Sequence, residues 1–173
     1  LGSNLPVAAR YMIEYTDSVL DTPTVMTMLM ENMTRELTGR VSFQPGVLDL
    51  LEALVAANIA LALVTSSVRA HVDVILSCLP SQPFRHHVTA DDVKNLKPHP
   101  EPYLSALDLL GVSAERSVVL EDSPAGVAAG EAAGCHVLAV PSVLPIEPAP
   151  NRSVVGSLTE VDVQLLRSLV TRW

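Results

Sequence analysis

Two kinds of apolar pattern divide this chain. Over residues 5–20, Leu5, Ala8, Ala9, Met12, Ile13, Tyr15 and Val19 recur at helical spacing. Val25, Met28, Leu29, Asn32, Met33 and Leu37 continue that spacing over residues 24–38, after a break at Asp21-Thr22-Pro23 in which Thr22 is a candidate cap. Core packing accounts for this Met-rich stripe. Thr38-Gly39 closes the second helix. From Phe43 onward, short continuous apolar runs alternate with helical ones. Helices are expected over Val47–Ala57, Val68–Leu79, Pro100–Leu110, Pro124–Ala133 and Glu160–Val170. Strands are expected over Ile59–Val64, His87–Thr89, Ser117–Leu120 and His136–Val140, with a weak one at Val154-Val155. Strands that alternate with helices and lack hairpin turns predict an α/β fold with a doubly wound, parallel, Rossmann-like sheet. A proline-rich loop, 141–150, interrupts this alternation without ending it.

Composition narrows the class. Aromatic residues make up only 3% of the chain against 49% hydrophobic, so the core is built from Val, Leu and Ala. The net charge is −8 and there is no Lys/Arg run, which argues against nucleic acid or an anionic membrane as partner. The apolar region 47–64 carries Asp49, Glu52 and Asn58 and reads as a helix followed by a strand, not a membrane span. Cys78 and Cys135 form neither a zinc spacing nor a disulfide framework; both read as small core residues, and a cytoplasmic setting is expected. His86, His87 and His99 lack a second ligand at metal spacing and read as structural or solvated.

The carboxyl ends of parallel strands share one edge, and ligands bind there. Three strand ends carry chemistry. After Ile59–Val64 comes Thr65-Ser66-Ser67 at a helix start, where free N–H groups and partial positive charge suit an anion. After His87–Thr89, a loop leads to Lys97-Pro98-His99-Pro100, in which two prolines stiffen the backbone around the lysine. The third strand ends in Glu121-Asp122, followed by Ser123-Pro124 and a helix rich in Ala and Gly. Adjacent carboxylates repel each other, and a hard divalent cation such as Mg²⁺ keeps both ionised. Gly126, Gly130 and Gly134 let that helix lie close on the sheet. Hydroxyl, ammonium and carboxylate pair, taken together, describe a site for a phosphate and Mg²⁺.

The runs Leu63-Val64-Thr65-Ser66-Ser67, Lys97-Pro98 and Leu120-Glu121-Asp122-Ser123-Pro124-Ala125-Gly126 resemble the haloacid dehalogenase-like hydrolases. The branch most similar has a helical cap and includes phosphoglycolate phosphatase-like and β-phosphoglucomutase-like enzymes. The resemblance runs from about Val41 to Trp173, which makes 41–173 the α/β core and 1–40 the remainder of the cap. It implies that Thr65 and Lys97 are catalytic and that Thr65, Ser66 and Lys97 bind phosphate. It also implies that Glu121 and Asp122 hold Mg²⁺. The reaction implied is hydrolysis of a small phosphorylated metabolite through an aspartyl-phosphate.

One part of the family pattern is missing. Its first motif, a strand ending in Asp-x-Asp, occurs nowhere in these 173 residues. Asp17 and Asp21 lie four apart in or beside a helix, Asp91-Asp92 has the wrong spacing, and Asp162 falls in the last helix. The nucleophile is therefore expected upstream of Leu1, on a strand central to the sheet, and the printed chain alone is expected to be inactive. Two other readings stand beside the phosphatase. One is a sugar-phosphate mutase, against which the loop Gly2-Ser3-Asn4-Leu5-Pro6-Val7 speaks because it has no Arg or Lys. The other is a catalytically inactive phosphate-binding relative. A receiver domain has the same residue types, but in the order acids, hydroxyl, lysine.

Overall fold

The computed structural model describes residues 5–37 and 41–170. The loop at Gly2 and the helix stop at Thr38-Gly39 lie outside the described residues. The chain forms two compact units, one of residues 1–41 with 70–79 and one of residues 42–69 with 80–173.

In the first unit, α1 (Leu5–Thr16) packs on α2 (Thr22–Leu37). Ala9 and Val25 are buried, each small enough to let two helices approach closely. α1 ends four residues before the expected stop, because Asp17 takes a left-handed conformation (φ 48°) and the Thr16 hydroxyl donates back to the Met12 carbonyl. Asp21, not Thr22, caps α2: its Oδ1 accepts the Thr24 amide at 2.9 Å, and Thr22 lies inside the helix. The stripe expected to be core is covered only in part. Val25 is buried while Met28 and Met33 are exposed. Most of α4 (Arg69–Ser77) also belongs here, with His71, Val72 and Leu76 buried and the His71 ring nitrogen 3.4 Å from the Met30 carbonyl. Cys78, just past that helix, is exposed and so is not the core residue its type suggested. It falls beyond the last turn, on no packed face.

The second unit is the α/β body. β1 (Ala62–Val64) pairs in parallel with β2 (His86–Val88), and β3 (Val118–Glu121), β4 (His136–Ala139) and β5 (Arg152–Val154) form a second parallel sheet in that order. Every described strand pair is parallel, as the βα alternation requires. The first strand is shorter than the expected 59–64 run, because β2 begins only at His86 and offers Ile59 and Ala60 no partner. β4 is buried along its whole length and anchors two clusters. Tyr103, Val119, Val127 and Val137 pack on one side, under α5 (Glu101–Leu110) and α6 (Pro124–Ala132). Leu50, Leu54, Leu138, Leu166 and Leu169 pack on the other, under α3 (Val47–Ala56) and α7 (Val163–Val170). Helices on both faces make the sheet doubly wound. No helix among the described residues is long and apolar enough to cross a membrane.

α7 starts three residues later than the pattern suggested. Asp162 stands outside it as cap, its Oδ1 accepting the Leu165 amide at 2.7 Å. Asp162→Ala should lower stability by about 1 kcal/mol with no effect at the sheet edge, measurable by chemical denaturation. A loss under about 0.3 kcal/mol would mean the cap is redundant.

Candidate active site

The site is assembled at the carboxyl ends of β1 and β3. β1 ends at Val64, and Thr65 continues its line by donating its amide to Val88 O at 2.9 Å. The chain then turns toward α4, with the Thr65 hydroxyl accepting the Ser67 amide at 3.1 Å. Ser66 is exposed at the tip of this turn.

Lys97 arrives from the loop between β2 and α5. That loop is pinned at its far end by Glu101, whose carboxylate accepts the amides of Lys94 and Asn95 at 2.8 and 3.0 Å. The Lys97 ammonium donates to Val64 O at 3.0 Å and to Glu121 Oε1, so one side chain spans the ends of both sheets. It also sits over the Tyr103 ring, 4.7 Å from the centroid. Lys97 and Glu121 are both nearly buried, at 10% and 7% side-chain exposure, so water screens the pair less than it would a surface pair.

Glu121 is the hub. Its Oε1 takes Lys97 and the Tyr103 hydroxyl, the latter at 2.6 Å. Its Oε2 takes the amides of Asp122 and Ser123 and the Ser123 hydroxyl, at 3.1–3.3 Å. Burial alone would push this carboxyl up, but the Lys97 charge and the bonds from Lys97, Tyr103 and Ser123 outweigh it and hold it below its ordinary value. Tyr103 moves the opposite way. Burial, then the adjacent carboxylate, raise its hydroxyl so far that it remains a donor at any working pH.

α6 follows at once. Ser123 caps it, its Oγ accepting the Gly126 amide at 3.1 Å, and Pro124 occupies the first turn. A Cβ on Gly126 would lie about 2 Å from all three atoms of the Glu121 carboxyl group. One on Gly130 would press on Val137 and Val119 at 3.0–3.3 Å. The Gly/Ala composition of this helix therefore allows both its packing on the sheet and the seat of the carboxylate.

Asp122 is different in kind from its neighbour. It is exposed at the sheet edge, and Ser142, from the proline-rich loop, donates to its Oδ2 at 2.8 Å. It keeps Oδ1 for another ligand. Among the described residues, no three His, Cys, Asp or Glu side chains converge as a ready metal cage. A hard cation that keeps several waters suits one such carboxylate. Glu121, with both oxygens held by protein donors, could reach a cation only by giving some of them up.

The five residues named from sequence are thus brought to one edge. Thr65 and Ser66 adjoin Val64, and Lys97 touches Val64 and Glu121, which is followed by Asp122. Sequence reasoning missed Tyr103, Ser142 and the pair Asp91-Asp92, which binds the first turn of α4. Tyr103 lies six residues past Lys97 in an ordinary helical stripe, and nothing local marks its hydroxyl as buried. Of the histidines, His99 Nδ1 accepts the Glu101 amide at 3.2 Å, and the His87 ring packs edge-on to Phe84. Both are structural contacts. Cys135 is buried next to β4, and burial pushes its thiol up to about 11, which makes it inert.

Over 113 residues the chain is 41% identical to hexitol phosphatase A of Escherichia coli K12, covering 64% of this chain and 51% of that protein. Over 109 residues it is 37% identical to protein CbbY of Rhodobacter capsulatus, covering 61% of this chain and 48% of that protein. It therefore spans about half the length of these curated relatives. The crystal structure of CbbY from Rhodobacter sphaeroides in complex with phosphate superposes with a TM-score of 0.73 at 26% identity, covering 83% of this chain and 67% of that one. Residues 1–140 match the family described as haloacid dehalogenase-like hydrolase. The chain belongs to the haloacid dehalogenase-like hydrolases.

Proposed function

We propose that the full-length protein is a Mg²⁺-dependent phosphatase of a small phosphorylated metabolite, working in the cytoplasm. The observation that carries this reading is the Lys97 ammonium bridging Val64 O and Glu121, which fixes one positive charge beside the Thr65 turn. Phosphoryl transfer needs alignment and charge neutralisation more than elaborate bond-making, and these residues offer both. The Thr65 hydroxyl and the Ser66 amide would orient the phosphoryl oxygens, while Lys97 balances charge on the phosphate and on the nucleophile. Asp122 would hold Mg²⁺ directly. Glu121, assigned with it from sequence, acts chiefly by holding Lys97 and the Asp122 backbone in place. When bound, the cation supplies charge neutralisation at the transferring group.

The nucleophile of this reaction is an aspartate on a strand between β1 and β3, outside the present sequence. One fact supports that placement: β1 and β3 each have a single strand partner among the described residues, which leaves each an edge open to another strand. Helices α1 and α2 belong to the cap that selects the substrate. A sugar-phosphate mutase uses the same core, and the named phosphatases among the relatives favour hydrolysis.

The test is phosphate release from a panel of small phosphomonoesters by the full-length protein, with and without Mg²⁺, for wild type and Asp122→Asn. The variant should lose about a hundredfold or more in kcat, the scale of removing one electrostatic stabiliser. Its thermal stability should hardly change, because Asp122 is exposed. Undiminished turnover would remove the metal assignment. Accumulation of an isomeric phosphate ester instead of free phosphate would identify the mutase.

A further inference from the structure

The loop after β2 grips the turn after β1. Asp92 Oδ2 accepts the Thr89 amide at 2.8 Å, the Thr89 hydroxyl at 2.7 Å and the Arg69 guanidinium at 2.6 Å. Asp91 Oδ2 accepts the Arg69 amide, the first N–H of α4, at 2.7 Å. Ala90 N donates to Ser67 O at 3.0 Å, and Thr65 N to Val88 O. Thr89 is fully buried beneath these contacts. Four bonds thus tie residues 65–69 to residues 88–92, two of them charge-assisted through Arg69.

We infer that Arg69, Asp91 and Asp92 form a clasp that holds the Thr65-Ser66-Ser67 turn in position for a phosphoryl group, and so act as positioning residues. The inference rests on the phosphatase reading.

The chemistry of the turn explains the need. The main-chain hydrogen bonds of β1 end at the Thr65 amide, and Ser66 is exposed at the tip. A turn meant to align a hydroxyl and an amide on three equatorial oxygens has to keep its shape when no ligand is present, or binding pays for ordering it. The clasp does this with residues outside the turn: Arg69 follows it, and Asp91 and Asp92 come from the loop after β2. Asp91 takes the Arg69 N–H at the start of α4, which leaves phosphate recognition to the turn itself. Asp92 is held at about 2, first by the Thr89 hydroxyl and amide and then by Arg69, so it stays a carboxylate throughout the neutral range.

The test uses the full-length protein in four forms: wild type, Arg69→Gln, Arg69→Lys and Asp92→Asn. Steady-state kinetics on the best phosphomonoester and hydrogen exchange of residues 65–69 are measured together. The clasp predicts that Arg69→Gln and Asp92→Asn lose roughly a hundredfold in kcat, the cost of displacing a catalytic group by about an ångström. Exchange at residues 65–69 should accelerate in both, and Arg69→Lys should recover much of each loss. Loss of kcat without faster exchange in the turn would overturn the positioning role, as would variants with wild-type kcat. A wild type that neither binds inorganic phosphate nor releases it from any ester would overturn the phosphatase reading, and the positioning role with it.

Discussion

Replacing Lys97 by Met should cost the protein about 3–5 kcal/mol of stability and, in the full-length enzyme, all measurable turnover. The stability figure is that expected for a buried ion pair broken from one side, because a carboxylate is left in low dielectric without its counter-charge. Glu121 is that carboxylate, and its remaining donors are the Tyr103 hydroxyl, the Ser123 hydroxyl and two amides. The double variant Lys97→Met/Glu121→Gln should recover a large part of the lost stability and none of the turnover. That contrast separates structural from catalytic loss, and denaturation with urea alongside phosphate release would read it. If Lys97→Met alone were as stable as wild type, the pair would not be buried as described.

The same pair sets a pH dependence. The Glu121 carboxyl lies lower in the folded chain than in the unfolded one, since burial, which raises it, is outweighed by the Lys97 charge and the hydrogen bonds. Its contribution is therefore fully present above the unfolded value near 4.5 and is lost as pH falls through the folded one. Asp92, held at about 2, contributes with the same sign over a lower window, from near 4 down to about 2. Wild type should lose stability steeply on acidification below about pH 4.5, and Glu121→Gln should show a shallower acid limb.

Gly126→Ala has the second largest expected effect. The added Cβ would fall 1.9–2.1 Å from the Glu121 carboxyl atoms, closer than any real contact. Either α6 shifts off the sheet or the carboxylate rotates out of reach of Lys97 and Tyr103. Overpacking of this kind costs about 1–3 kcal/mol and here also misplaces Lys97, so kcat should fall even at temperatures where the variant is fully folded. Ala at Gly111, where a Cβ meets nothing within 4 Å, serves as a comparison that strains only the backbone (φ +66°) and should leave kcat unchanged. Equal loss at both positions would show that general destabilisation, not the seat of Glu121, is responsible.

Much of this molecule was legible from local pattern. The parallel α/β class followed from apolar runs separated by helical stripes, because a strand buried on both faces needs continuous Val and Leu while a covering helix needs them only on one side. The gathering of Thr65, Lys97 and Asp122 at one edge was legible for a related reason. In a parallel sheet, chemistry collects at the carboxyl ends of strands, and each of these residues follows an apolar run directly or through a short loop. Cysteine position was less so, since Cys78 sits beyond a helix end that periodicity places only approximately.

Tertiary structure decided the rest. Glu121 and Asp122 are adjacent and chemically alike, so local sequence pairs them. Strand alternation turns the first into the protein, where five donors meet it, and leaves the second at the edge with an open oxygen. Arg69 with Asp91 and Asp92, and Ser142 with Asp122, are contacts 20 to 23 residues apart that no period announces. They exist because two crossovers of the chain end on the same side of a sheet, where side chains from separate loops are close enough to exchange hydrogen bonds.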